Sequence, residues 1–233
     1  MPVTSIHKGH RERLKKRFQE TGLDSFTDIQ VLELLLFYVI PRRDTNPIAH
    51  ALLDRFGSLS QVLEAPLEEL KKVDGIGQEA AAFLHLIPAS GRYYMVDKTI
   101  QSKVLTTVEQ CGQYLLPYFF GRNVEMVYLL CLDAKCKVLC CKEVGEGSVN
   151  TAGISVRKIV ETALAANATS VVLAHNHPSG IALPSPEDLQ TTKRVATALR
   201  AVDIHLVDHI IVADDDYISL ALSGRQFDDC LLI

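Results

Sequence analysis

Leu173 to Leu189 read LAHNHPSGIALPSPEDL. The stretch closes a short apolar run, TSVVLAHNH, that has the form of a strand, and opens SPEDLQTTKRVATALRAV, whose apolar residues recur at helical spacing. On a strand, residues i and i+2 face the same way, so His175 and His177 are expected to project side by side. Imidazole pairs of that kind suit zinc, whose nitrogen ligands lie at roughly 2.0–2.1 Å. Pro178 and Gly180 then turn the chain, and Asp188 stands far enough along to fold back as a third, oxygen ligand. Three protein ligands leave the fourth tetrahedral position to water, which marks a catalytic rather than a structural site. Two imidazoles and a carboxylate also accept manganese or iron.

The same stretch is also a helix start. Ser185-Pro186-Glu187-Asp188 places a serine at the N-cap, proline at N1 and an acid at N3, the form of a capping box. Cap and ligand are compatible, because an aspartate in the first helical turn can still point at a metal. A solitary His-x-His is usually an accident of surface or core. His-x-His-Pro, six residues, then Ser-x-x-Asp is far more restrictive.

Outward from this segment, the texture of the chain changes once. GHRERLKKRFQETG, TDIQVLELLLFYVI, NPIAHALLDRFGS and SLSQVLEAPLEELKKVDGIGQEAAAFLHLIPAS carry helical periodicity, with stops at Gly22, Pro41 and Gly57. No strand is expected before about Ser102. Beyond it, VEMVYLLCLDAKCKVLCCKEV gives two β-rich runs about a polar turn, SVRKIVETALAANA an amphipathic helix, and DIHLVDHIIVADDDYISL one or two further strands. Strands alternating with helices predict an α/β (α+β) layered domain. The boundary is expected within VDKTIQSK, dividing an all-helical domain over 1–98 from the layered domain over 103–233.

Composition narrows the function classes. With 48% hydrophobic and 22% charged residues the chain reads as ordinary globular protein, and a net charge of −4 offers no global case for nucleic acid, so any such case must be local. No apolar run reaches the roughly 18 residues of a membrane span, and the basic N-terminus has no apolar segment behind it. Cysteines 111, 131, 136, 140, 141 and 230 form no Cys-x-x-Cys pair, so buried free thiols of a cytoplasmic protein are expected.

HNHPSGIALPSPED resembles the JAMM motif of MPN domains. With NHPSG, the upstream GEGSVN and the downstream VDHIIV, nearly the whole chain resembles the bacterial RadC family. The resemblance implies an MPN-like domain with a mixed sheet, and one zinc per chain held by His175, His177, Asp188 and a water. It implies that Ser185 hydrogen-bonds the developing oxyanion. It also requires a glutamate on an earlier strand as general base. Glu143 in KEVGEGS is the position that matches, with Glu146 as its rival nearer the turn. A carboxylate there takes a proton from water and later hands it to the leaving group. Zinc nucleobase deaminases are excluded, since they need His-x-Glu and Pro-Cys-x-x-Cys. His205, Asp208 and His209 form a second polar cluster, in which His209, between apolar neighbours, reads as a satisfied core histidine with support of the metal ligands as its alternative.

LEELKKVDGIGQEAAAFLHLI resembles the helix-hairpin-helix of DNA repair proteins, which implies sequence-independent phosphate contact. Gly75 and Gly77 would shape the turn, free N–H groups of the next helix would meet phosphate, and Lys71 and Lys72 lie beside them. Between His7 and Phe18 six Lys or Arg, including Arg11, Arg13, Lys15 and Lys16, stand against one Glu and form a further candidate patch. Three functions follow: a zinc hydrolase of peptide or isopeptide bonds acting on or near DNA, a metal-dependent DNA nuclease, and a non-catalytic DNA-binding adaptor with a structural metal.

Overall fold

The computed structural model describes residues 4–99, 104–147 and 155–223. Ser148 to Asn150 of GEGSVN, residues 100–103 of the expected boundary and Cys230 lie outside the described residues. The chain forms two compact units, 1–90 and 91–233.

In the first unit, helices α1 (Thr4–Thr21), α2 (Asp28–Val39), α3 (Asn46–Phe56), α4 (Leu59–Glu64) and α5 (Leu67–Leu70) lead into α6 (Gln78–Thr99). Local chemistry sets the ends. Thr27 and Gln30 form a capping box on α2, Gly57 closes α3 with φ +94°, and Ser58 caps α4. Leu32, Leu36, Leu52, Leu70 and Leu84 are fully buried in one core. Between α5 and α6 the turn needs its first glycine. Gly75 has φ +94°, and a Cβ there would sit 2.7 Å from Ile48 Cδ1. Ile76 is buried beside it, its N–H bonded to Val73 O at 3.0 Å.

α6 continues through Pro88 and into VDKT, and the units divide inside this helix, after Ser90. VDKT is polar because this turn of helix faces solvent, not because the chain is irregular there.

The second unit is a mixed five-stranded sheet with helices, as expected. A further helix, α7 (Val108–Phe119), precedes it, opened by a capping box between Thr107 and Gln110. Strands β1 (Met126–Leu132) and β2 (Val138–Glu146) form the hairpin. Helix α8 (Val156–Ala165), strand β3 (Ser170–Asn176), helix α9 (Pro186–Arg200) and strands β4 (His205–Ala213) and β5 (Asp216–Ser219) follow. The order across the sheet is β2-β1-β3-β4-β5. Only β3 and β4 are parallel, joined over α9 as a parallel pair requires.

Both faces are covered, so every residue of β1 is buried. On one face Val127, Leu129, Val171 and Leu173 pack with Ile159 of α8 and Val195 and Leu199 of α9. On the other, Tyr128, Leu130, Val172 and Ala174 pack with Tyr114, Leu115 and Phe119 of α7. Period-two alternation assigns every strand residue to one of these faces.

Candidate metal centre

His175 shares the face of Val171 and Leu173 and is 0% exposed. The His177 N–H bonds Val212 O at 2.8 Å, so the extended path runs past the end of β3 and keeps His177 on that face. The two Nε2 atoms stand 2.9 Å apart. The chain then turns: Gly180 N–H returns to His177 O at 3.1 Å, with Gly180 at φ +74°.

Asp188 enters from the first turn of α9. Its N–H donates to Ser185 Oγ at 3.1 Å, and Ser185 N–H and O–H both donate to Asp188 Oδ2 at 2.8 Å. The capping box therefore aims the carboxylate. Oδ1 lies 3.3 Å from His175 Nε2, and Oδ2 lies 3.5 Å from His177 Nε2. Among the described residues this is the group of His, Cys, Asp or Glu donors that converges, its atoms all within 4.8 Å of one another. Around a tetrahedral ion with bonds of roughly 2.0–2.1 Å, donors stand about 3.3 Å apart. The donor set thus fits a zinc-sized ion in spacing as well as in chemistry.

The electrostatics agree. Burial would raise the Asp188 carboxyl, but the adjacent His175 and the two Ser185 donors outweigh it and hold the group well below the usual carboxylate range. His177 Nδ1 lies 3.0 Å from Ile181 O. A carbonyl only accepts, so Nδ1 carries the hydrogen and Nε2 keeps its lone pair for a metal.

The second polar cluster divides. His209, on β4 opposite Leu173, is 1% exposed and reaches His175 Nδ1 at 2.7 Å and Thr192 Oγ1 at 2.6 Å, so it is a satisfied core histidine that also touches a ligand. Burial first, then the charge of His175, holds its pKa well below the ordinary 6.5. Asp208 points to the other face and knits the end of β5. It accepts from Ser219 O–H at 2.6 Å and from Ala221 N–H at 3.0 Å. His205 is exposed at the start of β4.

Glu143 is not brought to this group. It pairs with Tyr128 across the hairpin, and paired residues share a face, here the α7 face. It is exposed there, 3.9 Å from Arg122, whose Nη2 donates to Tyr128 Oη at 3.1 Å. Glu146, opposite Met126, is directed the same way. A register shift causes this: Val127 pairs with Gly145 but Tyr128 with Glu143, so Val144 is the extra residue that alternation from the turn does not count.

A different glutamate lies on the histidine face. Glu125 immediately precedes β1, and its C=O accepts from Gly147 N–H at 2.8 Å, prolonging the ladder by one residue. Alternation gives Glu125 the face of Val127, which pairs with His175. Asn176, between the two histidines, turns to the opposite face and clamps this segment: Met126 N–H donates to its Oδ1 at 2.7 Å, and its Nδ2 donates to Val124 O at 3.1 Å. The backbone on both sides of half-buried Glu125 is thereby fixed to the metal-ligand strand. A carboxylate at the very start of an apolar run is the signal that the sequence carried for it.

Most basic residues of the helical unit already have partners. Arg11 donates to the carbonyls of Phe37, Ile40 and Arg43 and so closes the end of α2. Lys15 and Lys16 pair with Glu12 and Glu20 at 3.8 and 3.7 Å, Lys71 pairs with Glu68 at 2.6 Å, and Lys72 pairs with Glu69. Arg13 is exposed on α1. The described cysteines are free, and burial pushes the Cys111 and Cys131 thiols up to about 12. Among the described residues no helix is long and apolar enough to cross a membrane.

The sequence profile of the RadC-like JAB domain matches residues 105–225. A UPF0758 protein of Ruegeria pomeroyi is 33% identical over 222 residues, covering 95% of this chain and 99% of its own. A UPF0758 protein of Fusobacterium nucleatum is 33% identical over 225 residues, covering 94% of this chain and 97% of its own.

Proposed function

The chain belongs to the RadC-like JAB-domain family, and from that premise we propose that it is a zinc-dependent hydrolase of amide bonds, peptide or isopeptide. One observation carries the reading: His175, His177 and Asp188 converge with donor spacings of 2.9–3.5 Å at the open end of β3. Zinc held by these three residues, one ion per chain, supplies Lewis-acid chemistry, polarising a carbonyl and acidifying water.

The chain's own residues do the rest. Glu125, whose neighbours on both sides are clamped by Asn176, takes the proton of the attacking water and gives it to the leaving amine. Ser185 N–H also holds Asp188 Oδ2, which lets the Ser185 hydroxyl turn from Oδ2 to donate to the substrate oxygen as negative charge develops. His177 and His175 turn their Nε2 atoms to this point. A single converging group among the described residues favours an amide over a phosphodiester cut by two metals, which requires a further set of carboxylates.

The helical unit supports a DNA tether at the α5–α6 turn rather than along α1. Gly75 is required there by its φ and by Ile48, and α6 begins with first-turn N–H groups just beyond it. The free cysteines fit a reducing, cytoplasmic setting.

The test incubates the zinc-loaded full chain with quenched peptide and isopeptide substrates and, separately, with labelled DNA, beside Glu125→Gln. Amide cleavage lost in Glu125→Gln with zinc retained is the expected result. DNA cleavage lost in the same variant would make the protein a nuclease and overturn the amide assignment. DNA bound intact, and released as salt rises, fits the tether.

A further inference from the structure

Two buried polar side chains stand behind the ligands, on α9 and β4, and ligate nothing themselves. Thr192 is 1% exposed, and its Oγ1 lies 2.6 Å from Asp188 O, one helical turn back. His209 Nδ1 is 2.6 Å from the same Oγ1, and His209 Nε2 is 2.7 Å from His175 Nδ1.

The hydrogens along this path can be assigned one at a time. The Asp188 carbonyl has only lone pairs, so the single hydroxyl hydrogen of Thr192 goes to it. Oγ1 can then only accept from His209, which puts the ring hydrogen of neutral His209 on Nδ1 and a lone pair on Nε2. His175 Nδ1 must donate to that lone pair. With its hydrogen on Nδ1, His175 keeps the Nε2 lone pair, and this is the atom 2.9 Å from His177 Nε2 and 3.3 Å from Asp188 Oδ1. The reverse assignment would put a hydrogen on His175 Nε2, the atom that faces the other ligands, and would need the Thr192 hydroxyl to leave Asp188 O for His209 Nδ1.

We infer that Thr192 and His209 are positioning residues that fix His175 in its metal-binding tautomer and orientation, through a relay starting at the backbone of a second ligand, Asp188. The inference rests on the metal reading above and deepens it. Because Asp188 both gives the ligand carboxylate and anchors the relay, α9 and β4 brace two of the three ligands against each other. Supporting groups of this kind orient the imidazole and raise its basicity.

The relay is read without metal, by long-range side-chain ¹H–¹⁵N correlation of the histidines in the metal-free full chain. The expected pattern has hydrogen on Nδ1 and not on Nε2 for both His175 and His209. In Thr192→Val, where His209 loses its acceptor, the His175 pattern changes and zinc affinity, measured by competition with a chromophoric chelator, falls roughly 10- to 100-fold. Thr192→Ser keeps the hydroxyl and restores both. Wild type with His175 protonated on Nε2, or Thr192→Val with unchanged His175 signals and zinc affinity, overturns the relay alone. A wild type with the expected tautomers that takes up no zinc overturns the metal reading, and the proposed role with it. Circular dichroism of each metal-free variant separates a local effect from loss of fold, and the wild-type spectrum decides the tautomer whether or not the Val variant folds.

Discussion

On the α8/α9 face of the sheet His175, Asp188, Thr192 and His209 are each buried to within 1% and still joined by hydrogen bonds to one another, whereas on the α7 face Glu143 lies exposed and meets Arg122 only at 3.9 Å. The two places are separated by one strand, β1, through which Val127 pairs with His175 and the adjacent Tyr128 pairs with Glu143. Burying four polar groups is costly unless each is satisfied, and exposed Glu143 bears no such cost. Polar side chains gathered in a dry interior and aimed at one point need a ligand to make sense of them. A carboxylate in water beside an arginine needs none.

The sharpest way to break this contrast is to neutralise one glutamate from each face. Glu125→Gln is expected to lower amide hydrolysis by about 10²- to 10⁴-fold, the range for removing a general base, while leaving zinc affinity unchanged. Glu143→Gln is expected to leave kcat/KM unchanged. A profile with the two variants exchanged would return the general base to the α7 face.

Removing ligands is expected to lower zinc affinity by more than about 100-fold for His175→Ala or Asp188→Ala, beyond what loss of a supporting hydrogen bond costs. Chelator competition on the metal-free proteins reads this, and full zinc occupancy in either variant would dissolve the group.

Acid sharpens the contrast from within. Folded His209 is held well below 6.5, so the unfolded chain binds the extra proton first as pH falls. Stability of the metal-free protein is therefore present above about pH 6.5 and declines below it, by at most about 1.4 kcal/mol per pH unit for this one group. Denaturant midpoints at pH 7.5 and 5.5 measure the decline, and His209→Gln should flatten it.

The smallest effects compare two capping boxes. Thr107→Ala and Ser185→Ala each remove an N-cap oxygen, so each should cost about 1 kcal/mol of stability in denaturant unfolding. Only Ser185→Ala should also weaken zinc binding, because only that box holds a ligand carboxylate.

Much of this site was legible in one stretch of sequence, because strand alternation and the helix cap are local rules. Those rules put His175 beside His177 and swing Asp188 back from the first turn of α9. Even the satisfied state of His209 followed from its apolar neighbours. The face that Glu143 takes was not legible. It turns on a single extra residue near Val144 and on pairing across the hairpin, which spacing alone does not reveal. Asn176, whose side chain bonds a segment 50 residues away, was hidden for the same reason. In the fold, α7 escaped notice although Thr107 and Gln110 announce it, because QYLLPYFF carries a proline and aromatics that mimic an irregular segment. That α6 runs on to Thr99 was not legible, because a solvated helix face and an irregular segment have the same composition.

The most direct test of the central claim is zinc-edge X-ray absorption on the full chain, with the zinc content measured in parallel. One zinc per chain, coordinated by nitrogen and oxygen at roughly 2.0–2.1 Å with imidazole scattering from two histidines, is the predicted result. Sulfur at roughly 2.3 Å would place the ion on cysteines, and no zinc uptake would leave the converging histidines and aspartate without the ligand that accounts for them.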